Sequence, residues 1–551
     1  MNLGNRYSQH SFSQVPSVNI QRSRFDRSSA AKTTMYFDYL TPIFVDEVLP
    51  GDDINLNVKT FARLAPQVVP LLDNMYIDFF FFFVPNRLVW DNWEKFMGAQ
   101  DNPGDSTDYL CPVIKAPDTT GFANESIFDY FDVPPAAEKI EVNAFVFRAY
   151  NLIWNEWFRD QNLQNSVTVP LDDGPDPEAT YTLLKRGKRH DYFTSALPWP
   201  QKGPSIMMPL GTSAPVYGPE LSSADTGNIF QWWNRNSSDV VSGSIQKHPS
   251  ATAEDRVFYT VEGPTSGTPA GGLSLGTQSQ YEGTNGQPPY ADLSEATAAT
   301  INQFRQAMMM QSILELDARA GTRYVEILKA HYNVISPDFR LQRPEFLSGG
   351  EIRINQHVVA QTSETTSDDK PLGLLAAYST AAEFGSKIGF SKSFTEHGHI
   401  IGLACARADI TYQYGLHRMY SRQTRWDFFW PKFQELGEQA ILNKEIYATG
   451  SSTDDEVFGY AERFAEYRYK PSTIRGQFRS TYTATLDVWH MAEDYESLPA
   501  LNDTFIQQST PIERSLVVVD GYPHLLVDFW FDQKHARPMM TYGIPATLGR
   551  F

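Results

Sequence analysis

The stretch MYIDFFFFFVP, residues 75–85, contains the longest apolar run of the chain, from Phe79 to Val84. A continuous apolar run is typical of a strand that is buried on both faces, since a strand with one solvated face alternates apolar and polar residues. Pro85 closes the run because proline has no amide proton to donate to a neighbouring strand. The run is far shorter than the ~20 residues of a membrane-spanning helix. The stretch therefore predicts a central β-strand.

The flanking sequence adds strands of a different type. Residues 54–64, INLNVKTFARL, alternate apolar and polar side chains, which is typical of a half-buried strand. Residues 399–414, HIIGLACARADITYQY, predict a long strand late in the chain. In SLVVVDGYPHLLVDFWF, residues 515–531, Asp520-Gly521 separates two apolar runs and predicts a hairpin, although Pro523 delays its second strand. Strands therefore dominate both ends of the chain.

Helical spacing is confined to segments between these strands. LVWDNWEKFMG, residues 88–98, predicts a short amphipathic helix, and residues 141–162 predict a longer one. Asp292 and Glu295 have the spacing of a capping box for a helix over 296–320. Gly321 ends that helix, and TRYVEILKAHY, residues 322–332, predicts another. The pattern is that of a β fold with helical insertions.

Composition narrows the class of protein. The chain has 551 residues, a formal net charge of −19, 13% aromatic residues and two cysteines far apart, Cys111 and Cys405. Two distant cysteines predict no disulfide framework and favour a reducing compartment. The start of the sequence shows no apolar signal-peptide region. Strong acidity argues against a protein that coats nucleic acid by bulk positive charge.

The composition also changes along the chain. Residues 1–34 form a polar arm rich in arginine and without hydrophobic periodicity, for which a frayed terminus is the alternative. Residues 35–203 carry the first strands with helical and loop insertions. Residues 204–292 are rich in Gly, Pro and Thr, and no Lys or Arg occurs between Val257 and Phe304. That segment predicts an outward insertion or a loop without a partner. Residues 293–551 carry a helical insertion and the remaining strands.

Residues 458–480, FGYAERFAEYRYKPSTIRGQFRS, interleave aromatic and cationic side chains. Such a pattern suits stacking on bases with phosphate pairing, and it equally suits a subunit interface, where Arg and Tyr are enriched. Acidic surroundings favour packing over DNA contact. The interface candidates are Tyr460, Phe464, Tyr467, Arg468 and Tyr469.

Catalytic chemistry finds little support in the sequence. His397 and His399 share a face of a strand, as metal ligands would, but no further ligand is evident, so we predict no metal site and no cofactor. No nucleophile elbow, phosphate-binding loop or HExxH zinc motif is present. The aromatic content leaves a carbohydrate-binding or carbohydrate-active β protein as the alternative, although no two carboxylates can be paired for such an enzyme.

Long blocks of the sequence resemble the major capsid proteins of the Microviridae, in the gokushovirus branch. The blocks are RADITYQYGLHRMYSRQTRWDFFWPKF (407–433), LGEQAILNKEIYATG (436–450), EVFGYAERFAEYRYKPSTIRGQFRS (456–480) and ARAGTRYVEILKAHYNVISPDFRLQRPEFL (318–347). Shorter blocks are SRFDRSSAAKTT (23–34), HDYFTSALPWPQKG (190–203), FTEHGHIIGL (394–403) and LDVWHMA (486–492).

The resemblance implies a mainly β fold, a single eight-stranded antiparallel jelly roll of the viral capsid type with large loop insertions containing several helices. It implies self-assembly into a T=1 icosahedral shell around circular single-stranded DNA, a place in the virion capsid after assembly in the host cytoplasm, and no enzymatic activity. The partners it implies are a small basic DNA-binding protein, an internal scaffolding protein, a pilot or minor capsid protein and a host surface receptor, with no membrane insertion.

Within that picture several residues receive roles. The arm would face the interior, and the 204–292 insertion would form an outer protrusion that contacts the host, with Tyr281 and Tyr290 as candidates. The candidates for DNA contact are Arg22, Arg24, Arg27, Lys185, Arg186, Lys188 and Arg189. For the run at 185–189 a solvated charge cluster is the alternative.

Overall fold

The structure is a computed structural model. It describes residues 21–204, 206, 216–217, 232–234, 240–241, 245–247, 258–260, 273–275, 290–291, 301–320, 324–332, 341–360, 375–385, 387–517 and 521–542. The chain divides into two compact units, one made of Met1–Lys202 with Glu315–Phe551 and the other of Gly203–Leu314.

Strands are the main elements of the described chain. The strands before residue 203 are β1 Ser23–Asp26, β2 Ser29–Met35, β3 Thr41–Val48, β4 Asp53–Leu64, β5 Met75–Pro85, β6 Val113–Lys115 and β7 Glu141–Asn143. The second unit contains β8 Val216–Tyr217, β9 Trp232–Asn234, β10 Val240–Val241, β11 Ile245–Lys247, β12 Phe258–Thr260, β13 Leu273–Leu275 and β14 Tyr290–Ala291. The later strands are β15 Glu345–Arg353, β16 Asn355–Ala360, β17 Leu375–Glu383, β18 Gly389–Ser393, β19 Gly398–Ala408, β20 Glu438–Leu442, β21 Val457–Glu462 and β22 Leu525–Arg537.

Helices are short, with one exception. The α-helices are α1 Trp93–Phe96, α2 Ile127–Tyr130, α3 Phe145–Ile153, α4 Ile301–Ala320, α5 Tyr324–Tyr332, α6 Asn443–Ile446 and α7 Asp503–Ile506. No helix in the described ranges is long and apolar enough to cross a membrane. The chain is thus mainly β with some helices, as the sequence predicts.

Two antiparallel sheets organise the larger unit. The first has the order β1–β22–β4–β17–β16, with β2 also paired to β22 and β18 also paired to β4. The second has the order β15–β5–β19–β3. Neighbouring strands in both sheets are far apart in sequence, since Ser23 pairs with Arg537 and Phe82 pairs with Ile401. The chain therefore passes between the sheets several times.

The core lies between the two sheets. In β4 and β22 every second residue is buried, so each strand presents one apolar face to the other sheet. Phe529 of β22 lies edge-on to Phe79 of β5 with ring centroids 6.2 Å apart, and Phe531 packs against Phe44 of β3 at 5.0 Å. This face-to-face packing removes the aromatic side chains of both sheets from water.

The second sheet is covered on its other face as well. Phe82 and Val84 of β5 belong to a separate apolar cluster with Phe145 and Phe147 of α3. The odd-numbered residues of β5 therefore face the first sheet, and Phe80, Phe82 and Val84 face this second cluster. Burial on both faces explains the continuous run at 79–84, and the prediction made from that run is confirmed.

The predicted hairpin at Asp520-Gly521 is wrong as far as the described residues show, and residues 518–520, which end its first strand, lie outside them. Residues Ile512–Ser515 form a 3₁₀ turn, and β22 pairs with β4 on one side and with β1 and β2 on the other. Both edges of β22 are therefore occupied along its length, and no edge is left for a hairpin partner. A turn-forming dipeptide between two apolar runs does not by itself decide which strands pair.

The predicted polar arm also differs from the structure in its second half. Residues 23–26 and 29–35 are strands that pair with β22, and residues 1–20 lie outside the described residues. SAAKTTM has one large apolar side chain, the buried Met35, and this suffices for an edge strand because only one of its faces needs an apolar neighbour.

Candidate functional site

Most of the predicted DNA-contact cations are paired with acids of the same chain. The pairs are Arg22 with Asp53 at 2.7 Å, Arg27 with Asp46 at 2.6 Å, Arg186 with Asp78, Lys188 with Glu493 at 2.6 Å and Arg189 with Glu351 at 2.8 Å. The Lys188 pair is buried on both sides, whereas Arg22 and Asp53 are both solvated. These side chains therefore hold segments of the fold together, and their positive charge is already balanced.

Asp78 shows why a cation is needed at position 186. This carboxylate belongs to β5 and is buried beside Arg407 of β19, whose Nε donates to it at 2.7 Å, and beside Arg186. Burial alone would raise the pKa of Asp78, but the hydrogen bonds and charges of the two arginines outweigh it and hold the pKa below its ordinary value. The cluster is a structural ion network.

Two of the predicted cations differ from the others. Arg24 is exposed on β1, and Lys185 lies over the ring of Tyr39 at 5.4 Å. Within the described residues neither side chain forms an ion pair. They are therefore the two members of the predicted set without an ion-pair partner in the described chain, although the charge of Lys185 also opposes the rise that burial causes in the pKa of Asp38.

The aromatic and cationic segment at 458–480 is only partly a surface. Its first residues form β21, which pairs with β20, and Tyr460 is half-buried there. Phe464 adopts a left-handed backbone with φ of 63° and is 3% exposed. Its side chain is thus part of the subunit itself and is not available to a neighbour. Tyr467, Arg468 and Tyr469 are exposed, and Arg468 pairs with Glu462 at 2.6 Å.

An exposed aromatic surface includes two of these residues, Tyr467 and Tyr469, and sequence reasoning did not single out its other members. We use the name aromatic surface for seven rings that are 44–70% exposed: Tyr420, Trp426, Phe428, Phe429, Trp430, Tyr467 and Tyr469. Residues 423–432 are all exposed and form 3₁₀ turns and extended chain rather than a sheet or a long helix. Soluble monomers rarely expose so many large rings together, and such patches mark interaction sites.

Local contacts fix the shape of the aromatic surface. Arg422 lies 4.4 Å from the ring centroid of Tyr467 and 5.6 Å from that of Phe428. Arg425 lies 4.0 Å from the ring of Trp426, and its carbonyl accepts a hydrogen bond from Trp430 Nε1 at 2.9 Å. Cation–π contacts and capped turns hold the rings in place before any partner arrives, which lowers the entropy cost of binding.

Buried ion pairs anchor this surface to the rest of the subunit. Glu466 accepts hydrogen bonds from Arg422 at 2.9 Å and from Gln439 of β20 at 2.7 Å. Burial raises the pKa of Glu445, and the nearby Arg418 opposes that rise. Glu466 follows β21 and Glu445 lies in α6, so these two acids tie the aromatic surface to both elements.

Histidines 397 and 399 are engaged by contacts within the chain. His399 is half-buried, its Nδ1 lies 2.9 Å from Oδ1 of Asn86, and removal from solvent lowers its pKa to about 4. His397 stacks edge-on against Trp93 at 5.6 Å. Across the described ranges no group of three potential ligands is close enough to hold a metal.

Comparison with known proteins explains the exposed rings. A family model described as Capsid protein (F protein) matches residues 13–547, nearly the whole chain. The chain belongs to this capsid protein family. A capsid protein presents large surfaces to its neighbours in the shell, so exposed aromatic side chains are expected on it.

The relatives of this capsid protein cover 97–100% of its length. It is 60% identical over 560 residues to capsid protein VP1 of Bdellovibrio phage phiMH2K, with full coverage of both chains. It is 41% identical to VP1 of Chlamydia phage 1 and 33% identical to VP1 of Spiroplasma virus 4, with 97% of each chain covered. These are gokushoviruses of the Microviridae, and the resemblance noted in the sequence is confirmed.

The protein is therefore a major capsid protein of the virion, which self-assembles and is not an enzyme. This result removes the carbohydrate-active alternative. Of the two host-facing candidates, Tyr290 lies in β14, which pairs with β8, and Tyr281 lies outside the described residues. The structure does not test their role.

Proposed function

We propose that this capsid protein folds as a single eight-stranded jelly roll and forms a T=1 icosahedral shell around circular single-stranded DNA. The strand order supports the jelly roll. The chain alternates between the sheets so that β2, β22, β4 and β17 lie side by side in one and β3, β19, β5 and β15 in the other. Two of these eight positions are each filled by two short strands in succession. β1 and β2 pair with different parts of β22, and β17 and β18 pair with different parts of β4.

The aromatic surface is the observation that carries the assembly proposal. Together with Tyr460 and Arg468 it supplies a contact area for neighbouring copies, whose large rings give much contact energy at little entropy cost. Each contact can be weak, since a closed shell joins every subunit to several neighbours at once. Phe464 is left out of this interface because it is buried within the subunit.

DNA contact is assigned to the interior side of the shell. With most of the predicted cations already paired, Arg24 and Lys185 are the remaining candidates from the set. The net charge of −19 then requires another source of positive charge, which a small basic DNA-binding protein supplies. The internal scaffolding protein, the pilot or minor capsid protein and assembly in the host cytoplasm belong to the same proposal.

Host attachment is assigned to the insertion at 204–292, with Tyr281 and Tyr290 as candidates. Two observations support an outward position. Residues 203–314 form a compact unit of their own, and the stretch between Val257 and Phe304 has no Lys or Arg that would attract DNA.

Electron microscopy of particles from expressing cells tests the shell. We expect uniform small icosahedra whose protein is mainly this chain, with single-stranded DNA in filled particles. A chain that stays monomeric at all concentrations, or tubes and sheets in place of closed particles, would contradict the proposal.

A further inference from the structure

A cavity of about 160 Å³ opens between the 418–427 segment, the corner of β20 and α6, and the residues that follow β21. It is distinct from the exposed rings, although Arg422 contributes to both. A volume of this size exceeds the ~10–15 Å³ that a single water molecule requires. The cavity can therefore hold a small polyatomic ligand.

The acids that line the cavity are already engaged by partners in the chain. Glu466 accepts from Arg422 Nη2 at 2.9 Å, Glu445 accepts from Arg418 at 3.1 Å, and Asp427 accepts from the backbone amide of Thr424 at 2.7 Å. The Asp427 bonds lower the pKa of that carboxyl group, so it stays charged as the cap of its own turn. None of these carboxylates depends on a ligand for its hydrogen bonds.

Donors, in contrast, are left over. The buried Nε of Arg422, the buried Nε of Arg463 and the buried hydroxyl of Ser421 have no hydrogen-bond partner within the described chain. All three residues line the cavity, and the side chain of Arg422 is only 10% exposed. Leaving a buried donor unsatisfied is unfavourable, more so when it is charged, so three such donors at one cavity call for an acceptor.

Arg463 strengthens this requirement. Its guanidinium lies over the ring of Phe464 at 4.8 Å and forms no ion pair with any described residue. Two guanidinium groups with free N–H donors and a hydroxyl are the groups that proteins use for phosphate and carboxylate, whose oxygens accept several hydrogen bonds at once.

We infer that this cavity is an oxyanion site, in which Arg463, Arg422 and Ser421 bind a phosphate or a carboxylate. The anion has two sources. One is free phosphate, and the other is an Asp or Glu side chain from a second copy of this chain, which carries 65 acidic residues. The second source rests on the proposed shell, whereas the site itself does not.

Calorimetric titration of the full-length, unassembled protein with inorganic phosphate tests the site at constant ionic strength. We expect saturable binding to the wild type and a loss of roughly tenfold or more in affinity for Arg463→Gln, which removes a charged donor. Ser421→Ala, which leaves both guanidinium groups in place, should weaken binding less. Arg425→Gln is the matched control, because Arg425 is exposed over Trp426 and does not line the cavity.

Thermal melts establish that each variant is folded before it is titrated. Equal phosphate affinity in the wild type and in both cavity variants, or no phosphate binding at all, would mean that the cavity holds water only and would overturn the inference. Equal weakening by Arg425→Gln would assign the effect to surface charge and overturn it as well.

Assembled shells then distinguish the two sources. If shells still bind phosphate through Arg463, the anion is a free one. If shells exclude phosphate and phosphate inhibits their assembly, a carboxylate of a neighbouring copy occupies the site. A failure of shells to form would count against the proposed function and would leave the titration of the subunit unaffected.

Discussion

Phe428 offers the sharpest test of the aromatic surface. It is 51% exposed, and its described ring contact is with Arg422 at 5.6 Å, so truncation removes little that the subunit uses. A large aromatic side chain buries ~150–250 Å² when fully covered, which leaves roughly 75–125 Å² of Phe428 for a neighbour. At ~25 cal/mol per Å² this area contributes about 2–3 kcal/mol per contact.

The Phe428→Ala variant should therefore raise the subunit concentration at half-assembly by roughly 30- to 150-fold, with one such contact per subunit. Sedimentation velocity over a dilution series measures this concentration, and electron microscopy of the fast fraction identifies closed particles. The midpoint of thermal unfolding of the unassembled subunit should stay near that of the wild type. Tyr542→Ala is the control, since this ring is 82% exposed but lies outside the aromatic surface.

An unchanged assembly concentration in Phe428→Ala would refute the reasoning, because an interface that buries this ring must lose energy when it is removed. An equal shift in Tyr542→Ala would show that loss of any exposed ring has the same effect. A lowered unfolding temperature in Phe428→Ala would mean that the side chain belongs to the fold of the subunit.

Four further predictions follow from the buried charges, the free cations and the insertion. Asp78→Asn removes the buried carboxylate that Arg407 and Arg186 share and leaves Arg407 with only the more exposed Glu351 and Asp409, so the free energy of unfolding in urea melts should fall by about 3–5 kcal/mol. Because the folded-state pKa of Asp78 is lowered, its contribution is complete above about pH 4 and is lost as the pH falls below that value, so Asp78→Asn should also flatten the acid limb. Burial lowers the pKa of His399 from 6.5 to about 4, so protons bind the unfolded chain first and stability falls between these values as the pH drops; His399→Gln should reduce that slope in pH-dependent melts. Arg24→Gln combined with Lys185→Gln should lower the DNA content of particles, measured by the 260/280 nm absorbance ratio, and should leave subunit stability within about 0.5 kcal/mol. Deleting residues 215–290 should leave a folded subunit that still assembles, while particles lose attachment to host cells in a sedimentation assay.

Controls for these variants come from the same chain. Asp528→Asn removes an exposed partner of Lys32 and should lower the free energy of unfolding only slightly. If Asp78→Asn lowered it by the same small amount, burial of Asp78 would not explain its contribution. An unchanged pH slope in His399→Gln would show that this ring is not the titrating group. Normal DNA content in the double variant would exclude Arg24 and Lys185 as contacts. Loss of folding on deletion would make the insertion part of the core.

Sequence reasoning succeeds where a local pattern of residues indicates burial. The run at 79–84 predicts a strand covered on both faces, because five consecutive phenylalanines and a valine leave no face for water. The prediction of a hairpin at Asp520-Gly521 fails because strand pairing there depends on distant residues. Local turn chemistry favours it, but both edges of β22 are taken by strands that lie about 460 to 515 residues away in sequence, as the Ser23–Arg537 and Thr60–Phe529 pairs show.

The site could be predicted only in outline. A sequence shows that Arg186 and Lys188 are cationic, but it does not show that Asp78 and Glu493, about 108 and 305 residues away, neutralise them. The sequence shows the aromatic residues at 426–430, but aromatic side chains usually lie in the core. Only the fold shows that these are exposed. Their spacing gives no warning, since Trp426, Phe429 and Trp430 stand at i, i+3 and i+4, which fits the buried face of a helix.

The position of β22 has a consequence for how the subunit is made. During translation β1, β2 and β4 leave the ribosome early, but the strand that joins them is synthesised hundreds of residues later. Until then their backbone edges stay open, and such edges are prone to pair wrongly with other nascent chains. Incomplete products cannot close the first sheet at all. A product that stops before β22 therefore lacks the strand that joins β1 and β2 to β4, and we expect such a product not to assemble.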